Sequence, residues 1–297
     1  MTTETVRLAI MAPTLNLCNY LFGIEQGFFR REGLEVNVIV RPGLRNTQAV
    51  LQGEADFGAA NECVIQTALR GPTDLRILLQ VLNDPLHELI VQKGIRSLED
   101  LKGKQVAVPA AGSTPEIQAR QFLRNSGLVP DRDVFVVPQV PADTMADRIR
   151  KFEEGVYAAL IASPPAPFFL QAKGYNSLTE LSSHFPGTAS HGLVATTTTI
   201  ATRRSMVEAM VRGYTHGVTA LKEDREAALR FISGHFHLER ALAGRCYDLL
   251  KDRWTAGLSM DSLRTECEFQ ARNAGVDPIV PESIADNSFF NVIQARG

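Results

Sequence analysis

The sequence has little of what marks the specialised protein classes. Only four cysteines occur in 297 residues, Cys18, Cys63, Cys246 and Cys267. No two stand in C-x-x-C spacing, and a chain of this length needs no disulfide framework, so free thiols are expected. No apolar run approaches the ~18 residues that a membrane-spanning helix requires. Neither sign of charge is in excess: 31 Lys+Arg against 33 Asp+Glu leave a formal charge of -2. Without a basic surplus to neutralise a phosphate backbone, nucleic acid is not an expected partner. G-x-S-x-G, P-loop, G-x-G-x-x-G and H-E-x-x-H patterns are all missing, which removes the usual signs of a serine hydrolase, a nucleotide enzyme or a zinc protease. His235-Phe-His237 spaces its rings onto different helix faces, so no metal and no cofactor is expected. The opening Met1-Thr-Thr-Glu-Thr has no basic leader region, and Leu8 to Pro13 is too short for a signal core. The expected location is therefore periplasmic if a leader has been removed and cytoplasmic if Met1 is the native start.

What is present is an ordinary globular composition, 44% hydrophobic, 22% charged and 7% aromatic. The length sits at the ~250–300 residues where single cores stop growing, and two half-sized lobes fit it better. Val6 to Met11, Leu34 to Val40, Ala55 to Ala60 and Leu75 to Leu82 read as strands. Between them lie helical stretches over Tyr20 to Arg31, Asn46 to Leu51 and Glu62 to Leu69. A second alternation follows: strands at His87 to Gln92, Gln105 to Pro109, Asp133 to Val137 and Val156 to Ile161, with helices over Ser97 to Leu101, Thr114 to Ser126 and Ala142 to Glu153. Leu193 to Ala201 is dense in β-branched residues and reads as a further strand, after which 203–222, 225–236, 238–250 and 259–273 read as helices. The pattern predicts an α/β protein of two lobes, each a mostly parallel sheet flanked by helices, with two crossovers. The expected division is 1–90 with 198–297 as the first lobe and 91–197 as the second.

Three segments carry a family resemblance: Gly23-Ile-Glu-Gln-Gly-Phe-Phe-Arg-Arg-Glu-Gly-Leu-Glu-Val, Gln52-Gly-Glu-Ala-Asp-Phe-Gly and Leu98-Glu-Asp-Leu-Lys-Gly-Lys-Gln-Val-Ala-Val. In this order they resemble the type II periplasmic binding protein fold, and more narrowly the NMT1/THI5-like group of solute-binding proteins for sulfonates, nitrate, taurine and thiamine pyrimidines. The resemblance runs over roughly the whole chain and implies a two-lobed ligand trap. One departure stands out: Gly155-Val-Tyr157-Ala-Ala has tyrosine where the family usually has aspartate.

Sheets of this kind hold ligands at the carboxyl ends of their strands. After the first strand, Thr14, Asn16 and Asn19 can offer hydrogen bonds beside a helix start, or serve as an ordinary cap and turn. Cys18 lies in the same loop, where a helix N-terminus could activate a thiol, against the common fate of a buried cysteine. Asn61 can cap the next helix, reach a ligand, or do both. Arg41, after the second strand, is a cationic candidate for an anionic ligand or a solvated strand end. In the second half, Pro109-Ala-Ala-Gly-Ser-Thr-Pro-Glu supplies Ser113 and Thr114, with Ser113-x-x-Glu116 also fitting a capping box. Ser163 follows the last strand, and His87 and His191 fall near the expected crossovers.

The leading expectation is a solute-binding protein of an ABC-type transport system. It would capture a small organic ligand, anionic or heteroaromatic, in an inter-lobe cleft by hinge closure, with an ABC permease as partner. The alternative is an intracellular enzyme on the same fold, a pyrimidine synthase, aromatic decarboxylase or desulfinase acting on an aromatic or heterocyclic acid, for which Cys18 or a hinge histidine would be the reactive group.

Overall fold

The computed structural model describes residues 3–140 and 144–289. They form two compact units, unit 1 from the described residues of 1–85 and 187–297 and unit 2 from those of Leu86–Pro186. The chain thus crosses at 85/86 and 186/187, against the expected 90/91 and 197/198. Periodicity identifies a strand but not the sheet it joins, which long-range pairing decides.

Unit 1 is built on β1 (Glu4–Ile10), β2 (Leu34–Val40), β3 (Phe57–Gly58), β4 (Leu75–Asn83), β10 (Ala189–Thr196) and β11 (Trp254–Gly257), in the order β11-β4-β10-β3-β1-β2. Strands β2 and β3 run parallel to β1, whereas β10 runs antiparallel to β3 and β4, and β11 antiparallel to β4. Unit 2 carries β5 (Glu88–Val91), β6 (Gln105–Val108), β7 (Phe135–Pro138), β8 (Ala159–Ala162) and β9 (Asn176–Glu180), in the order β7-β6-β8-β5-β9. Its β6 is parallel to β7 and β8, and its β5 is antiparallel to β8 and β9. Both sheets are therefore mixed rather than mostly parallel. The strands next to each crossing, β4 with β10 and β5 with β9, are where the antiparallel pairs enter.

The helices are α1 (Cys18–Glu25), α2 (Phe28–Arg31), α3 (Arg45–Leu51), α4 (Asn61–Ala68), α5 (Thr114–Asn125), α6 (Met145–Glu153), α7 (Ala166–Ala172), α8 (Thr197–Thr202), α9 (Arg204–Glu223), α10 (Arg225–His235), α11 (Arg240–Leu250) and α12 (Met260–Ala274). The expected helix over Tyr20 to Arg31 is broken in two because Gly27 takes φ 74°. The threonine run is divided as well. Strand β10 ends at Thr196, whose hydroxyl accepts the Thr199 N–H at 3.0 Å and caps α8. The expected start of α6 at Ala142 lies outside the described residues. Its observed start is a capping box, Thr144 with Asp147.

Two networks hold unit 1. Asn19 donates from Nδ2 to the Val81 carbonyl at 2.9 Å and to the Tyr214 hydroxyl at 2.7 Å. Tyr214 in turn donates to the Thr255 carbonyl at 2.8 Å, and Tyr20 donates to the Gly192 carbonyl at 2.9 Å. Helices α1 and α9 meet through glycine: a Cβ on Gly217 would stand 3.0 Å from the Gly23 Cα, and one on Gly213 2.7 Å from the Phe29 ring and 3.1 Å from the Phe29 Cα. The unit 1 core includes Ala9, Val64, Ile77, Val194, Leu263 and Cys267. That of unit 2 includes Ile90, Ala107, Phe152, Leu160 and Leu170.

The glycine contact generates a stability prediction. Gly213→Ala forces a methyl against both the ring and the backbone of Phe29, and such overpacking costs about 1–3 kcal/mol. Thermal unfolding of the variant should show a midpoint several degrees below the parent; an unchanged midpoint would contradict the close packing.

Candidate functional site

In unit 2, parallel pairing brings three loops to one edge. The carboxyl ends of β7, β6 and β8 lie side by side. With neighbouring strands ~4.8 Å apart, their departing loops span about 10 Å. These loops lead into α6, α5 and α7. The start of β5 reaches the same edge, since Glu88 pairs with Ala162.

Several polar atoms at the starts of α5 and α6 are buried without a hydrogen-bond partner. They are the Ser113 and Thr114 hydroxyls, the Gln118 Nε2 and the Arg148 Nε and Nη1. Ser113 stands at the N-cap of α5, yet its side chain makes no capping bond. The expected Ser113–Glu116 capping box is not formed. Glu116 instead accepts the Gly112 N–H at 3.1 Å and pairs with Arg120, which also bonds Asp131 at 2.5 Å. That pairing compensates the negative charge that a second anion beside the loop would otherwise meet. Gln118 has its Oε1 2.7 Å from His87 Nδ1. The imidazole therefore serves as Nδ1–H donor to the amide, and the amide's own donor is left over.

Arg148 was missed by motif reading. It is 3% exposed, the fourth residue of α6, and among the described residues its one side-chain hydrogen bond runs from Nη2 to the Met145 sulfur at 2.9 Å. Burial pushes the guanidinium down to about 10, partly opposed by the Tyr157 phenol. Tyr157 occupies the position where the family resemblance expects aspartate and packs against the Phe152 and Leu160 cluster. No carboxylate is ion-paired with Arg148 among the described residues. The available signal was spacing: Arg148 and Phe152 are one turn apart and both face inward, so an arginine occupies the apolar stripe of α6.

The corresponding edge of unit 1 receives the carboxyl ends of β2, β1 and β3 and the start of β10. Thr14 is half-buried, and its backbone carbonyl accepts from Leu17. Asn16, 6% exposed, and Asn61, 1% exposed, each bury an Oδ1 with no partner. Asn61 begins α4 rather than capping it, and its Nδ2 donates to the His191 carbonyl at 2.9 Å. Asn19 is consumed by the core network described above, which leaves it no free donor for a ligand. Arg41 is not a free cation either. Its guanidinium pairs with Glu54 and donates to the Val40 carbonyl at 2.8 Å. Ser163 is half-buried, with its carbonyl accepting the Ala166 N–H at 3.1 Å.

Cys18 begins α1, but the helix start does not activate it. It is completely buried, and desolvation, reinforced by Cys246, raises its thiol well above the ordinary range. Cys63 is raised well above it in the same way, and Cys246 and Cys267 are pushed up to about 12 by burial. A surface concavity of about 440 Å³ between α10 and α11 contains none of the candidate residues, and its Arg225 and Arg240 are already paired with Asp248 and Glu226.

The family model described as NMT1/THI5 like matches residues 14–228. The chain belongs to this family. Among curated proteins no sequence match is found. Solved structures share the fold. The alkanesulfonate-binding protein SsuA from Xanthomonas axonopodis pv. citri, bound to MOPS, aligns with TM-score 0.79 and 15% identity over 97% of this chain and 100% of that one. The periplasmic aliphatic sulphonate binding protein SsuA from Escherichia coli gives TM-score 0.74 and 16% identity over 95% and 92%. The periplasmic nitrate-binding protein NrtA from Synechocystis PCC 6803 gives TM-score 0.79 and 12% identity over 99% and 89%. No helix among the described residues is long and apolar enough to cross a membrane.

The buried thiols of this NMT1/THI5-like chain set a chemical expectation. Titration of the native protein with a thiol-specific disulfide reagent near pH 8 should find no rapidly reacting cysteine, and all four after denaturation. A fast native thiol would reopen Cys18 as a nucleophile.

Proposed function

We propose that the chain is a solute-binding protein that captures a small organic anion and delivers it to an ABC-type permease from the periplasm. Family membership and the shared fold support the class. Arg148 carries the chemistry: a guanidinium buried without an anion is costly, and a ligand anion would repay that cost with charge-assisted bonds. Its planar donor fork suits a carboxylate, sulfonate or nitrate. Ser113, Thr114 and Gln118 supply further unpaired donors on the same unit, and the first turn of α5 favours negative charge. Thr14, Asn16, Asn61 and Ser163 remain proposed ligand contacts, with the Oδ1 atoms of Asn16 and Asn61 open to donor groups.

The test is a calorimetric screen of alkanesulfonates, nitrate, aromatic carboxylates and pyrimidines, followed by Arg148→Leu. At least one anion should bind the parent and raise its unfolding temperature. Losing a buried charged partner costs 2–5 kcal/mol, so the variant should bind at least about 30-fold more weakly. Without ligand it should be no less stable than the parent, because the guanidinium it removes has no ionic partner. Failure of every anion at millimolar concentration, or full affinity in Arg148→Leu, would refute the reading.

A further inference from the structure

Side chains at the start of α5 differ in whether their hydrogen-bond role is fixed. The Ser113 and Thr114 hydroxyls are buried and unpaired, and a hydroxyl rotates to donate or to accept as its partner requires. Gln118 has no such freedom. It lies one turn after Thr114 on the same helix face and is 0% exposed. Its amide is engaged at one end: Oε1 is 2.7 Å from His87 Nδ1, while Nε2 has no partner among the described residues. An amide has a donor end and an acceptor end, so whatever holds one end decides what the other offers.

His87 is held firmly enough to make that decision. It is 3% exposed and immediately precedes β5. Its backbone is fixed from both sides, because its carbonyl accepts the Leu181 N–H at 2.7 Å and the next residue, Glu88, pairs with Ala162 of β8 and Glu180 of β9. The imidazole thus reaches α5 from the start of a paired strand. A ring nitrogen 2.7 Å from an amide oxygen carries the proton, since the oxygen has none to give.

We propose that His87 is a positioning residue for solute capture: its Nδ1–H holds Gln118 Oε1, so that Nε2 is kept as a fixed donor to an oxygen of the bound anion. This role rests on the anion-binding reading above and adds to it the group that sets the polarity of the α5 subsite. With Gln118 locked, the Ser113 and Thr114 hydroxyls are free to donate as well, and an oxygen-bearing anion meets donors only. A solute offering N–H groups there finds no acceptor on Gln118. Reversing the amide would reverse this preference. As long as Nδ1 keeps its proton, however, a reversed amide would set two donors against each other.

The ring is read without any ligand. Long-range nitrogen–proton NMR correlation of histidine-labelled protein near pH 8 distinguishes the two neutral tautomers, and comparison with His87→Asn assigns the signal. His87 should carry its proton on Nδ1; a ring protonated on Nε2 alone overturns the proposal, because Gln118 would then be donating to it.

Calorimetry with methanesulfonate, nitrate and benzoate as probes supplies the second arm. Gln118→Met keeps the length of the side chain and removes the donor, so each anion that the parent binds should bind about tenfold more weakly or worse, the size expected of a hydrogen bond to a charged group. His87→Phe keeps a ring and removes the N–H, and should weaken the same anions several-fold. His87→Asn, whose amide N–H can stand near the position of Nδ1, should restore most of that loss. A histidine that served the fold alone would give Phe and Asn variants that differ in unfolding temperature and bind alike. Parent affinity in Gln118→Met, or equal affinities in the two His87 variants, therefore refutes the positioning role while the anion-binding reading stands. Should His87→Phe fail to fold, Gln118→Met and the tautomer decide. A parent that binds none of the three probes, with Nδ1 protonated as expected, instead counts against the anion-binding reading and removes this role with it.

Discussion

Parallel strand pairing is the constraint from which the placement of every candidate residue follows. Parallel neighbours require a crossover, so each strand's exit loop and the helix start after it are delivered to one edge. In unit 2 that edge receives the starts of α5, α6 and α7. Helix starts have backbone N–H groups without intrahelical partners, and three adjacent starts create a donor-rich rim with little positive charge. A near-neutral composition is therefore compatible with local positive potential at such a rim, because helix starts supply it without a surplus of basic residues.

The helix starts at this rim also bury polar atoms that no hydrogen bond among the described residues satisfies. Folding normally pairs buried polar groups, and an unpaired one costs about 1–3 kcal/mol, more when charged. Ser113, Thr114, Gln118 and Arg148 all leave polar atoms unpaired within one unit. By contrast, Asn19 of unit 1 is fully engaged with Val81, Tyr20 and Tyr214. Asn19 is thereby committed to the fold, whereas the four residues of unit 2 keep polar atoms that the described residues do not pair. Glu116 belongs with the first kind: it engages Gly112 and Arg120, so that the loop before α5 is tied from the protein side and its hydroxyls remain uncommitted.

Much of this architecture was legible in the sequence. Alternating Leu34 to Val40 and the β-branched Gln105 to Val108 gave their strands directly, and the long helices after Arg203 fell close to their expected bounds. Strands β9 and β11 escaped because Asn-Ser-Leu-Thr-Glu and Trp-Thr-Ala-Gly have weak alternation and gain their place only through pairing with β5 and β4. Among site residues, Ser113, Thr114 and Asn61 were visible from loop position. Asn19 and Arg41 shared that visibility but are occupied, one by Tyr214 across a separation of 195 residues and the other by Glu54. Arg148 was hidden because nothing in its neighbours announces a motif; only its place on the inward face distinguishes it from Arg150, which is paired with Asp147 and Glu154.

Tyr157 connects the family departure to this hidden arginine. An acidic side chain near a buried guanidinium would neutralise it internally and compete with any external anion. The phenol instead contributes ring packing against the Phe152 cluster and only a weak electrostatic pull on Arg148. Replacing an acid by an aromatic group thus keeps the apolar wall and leaves the cation without an internal partner. The departure and the unpaired guanidinium are then two aspects of one arrangement, and it is this arrangement that the proposed capture of an anion rests on.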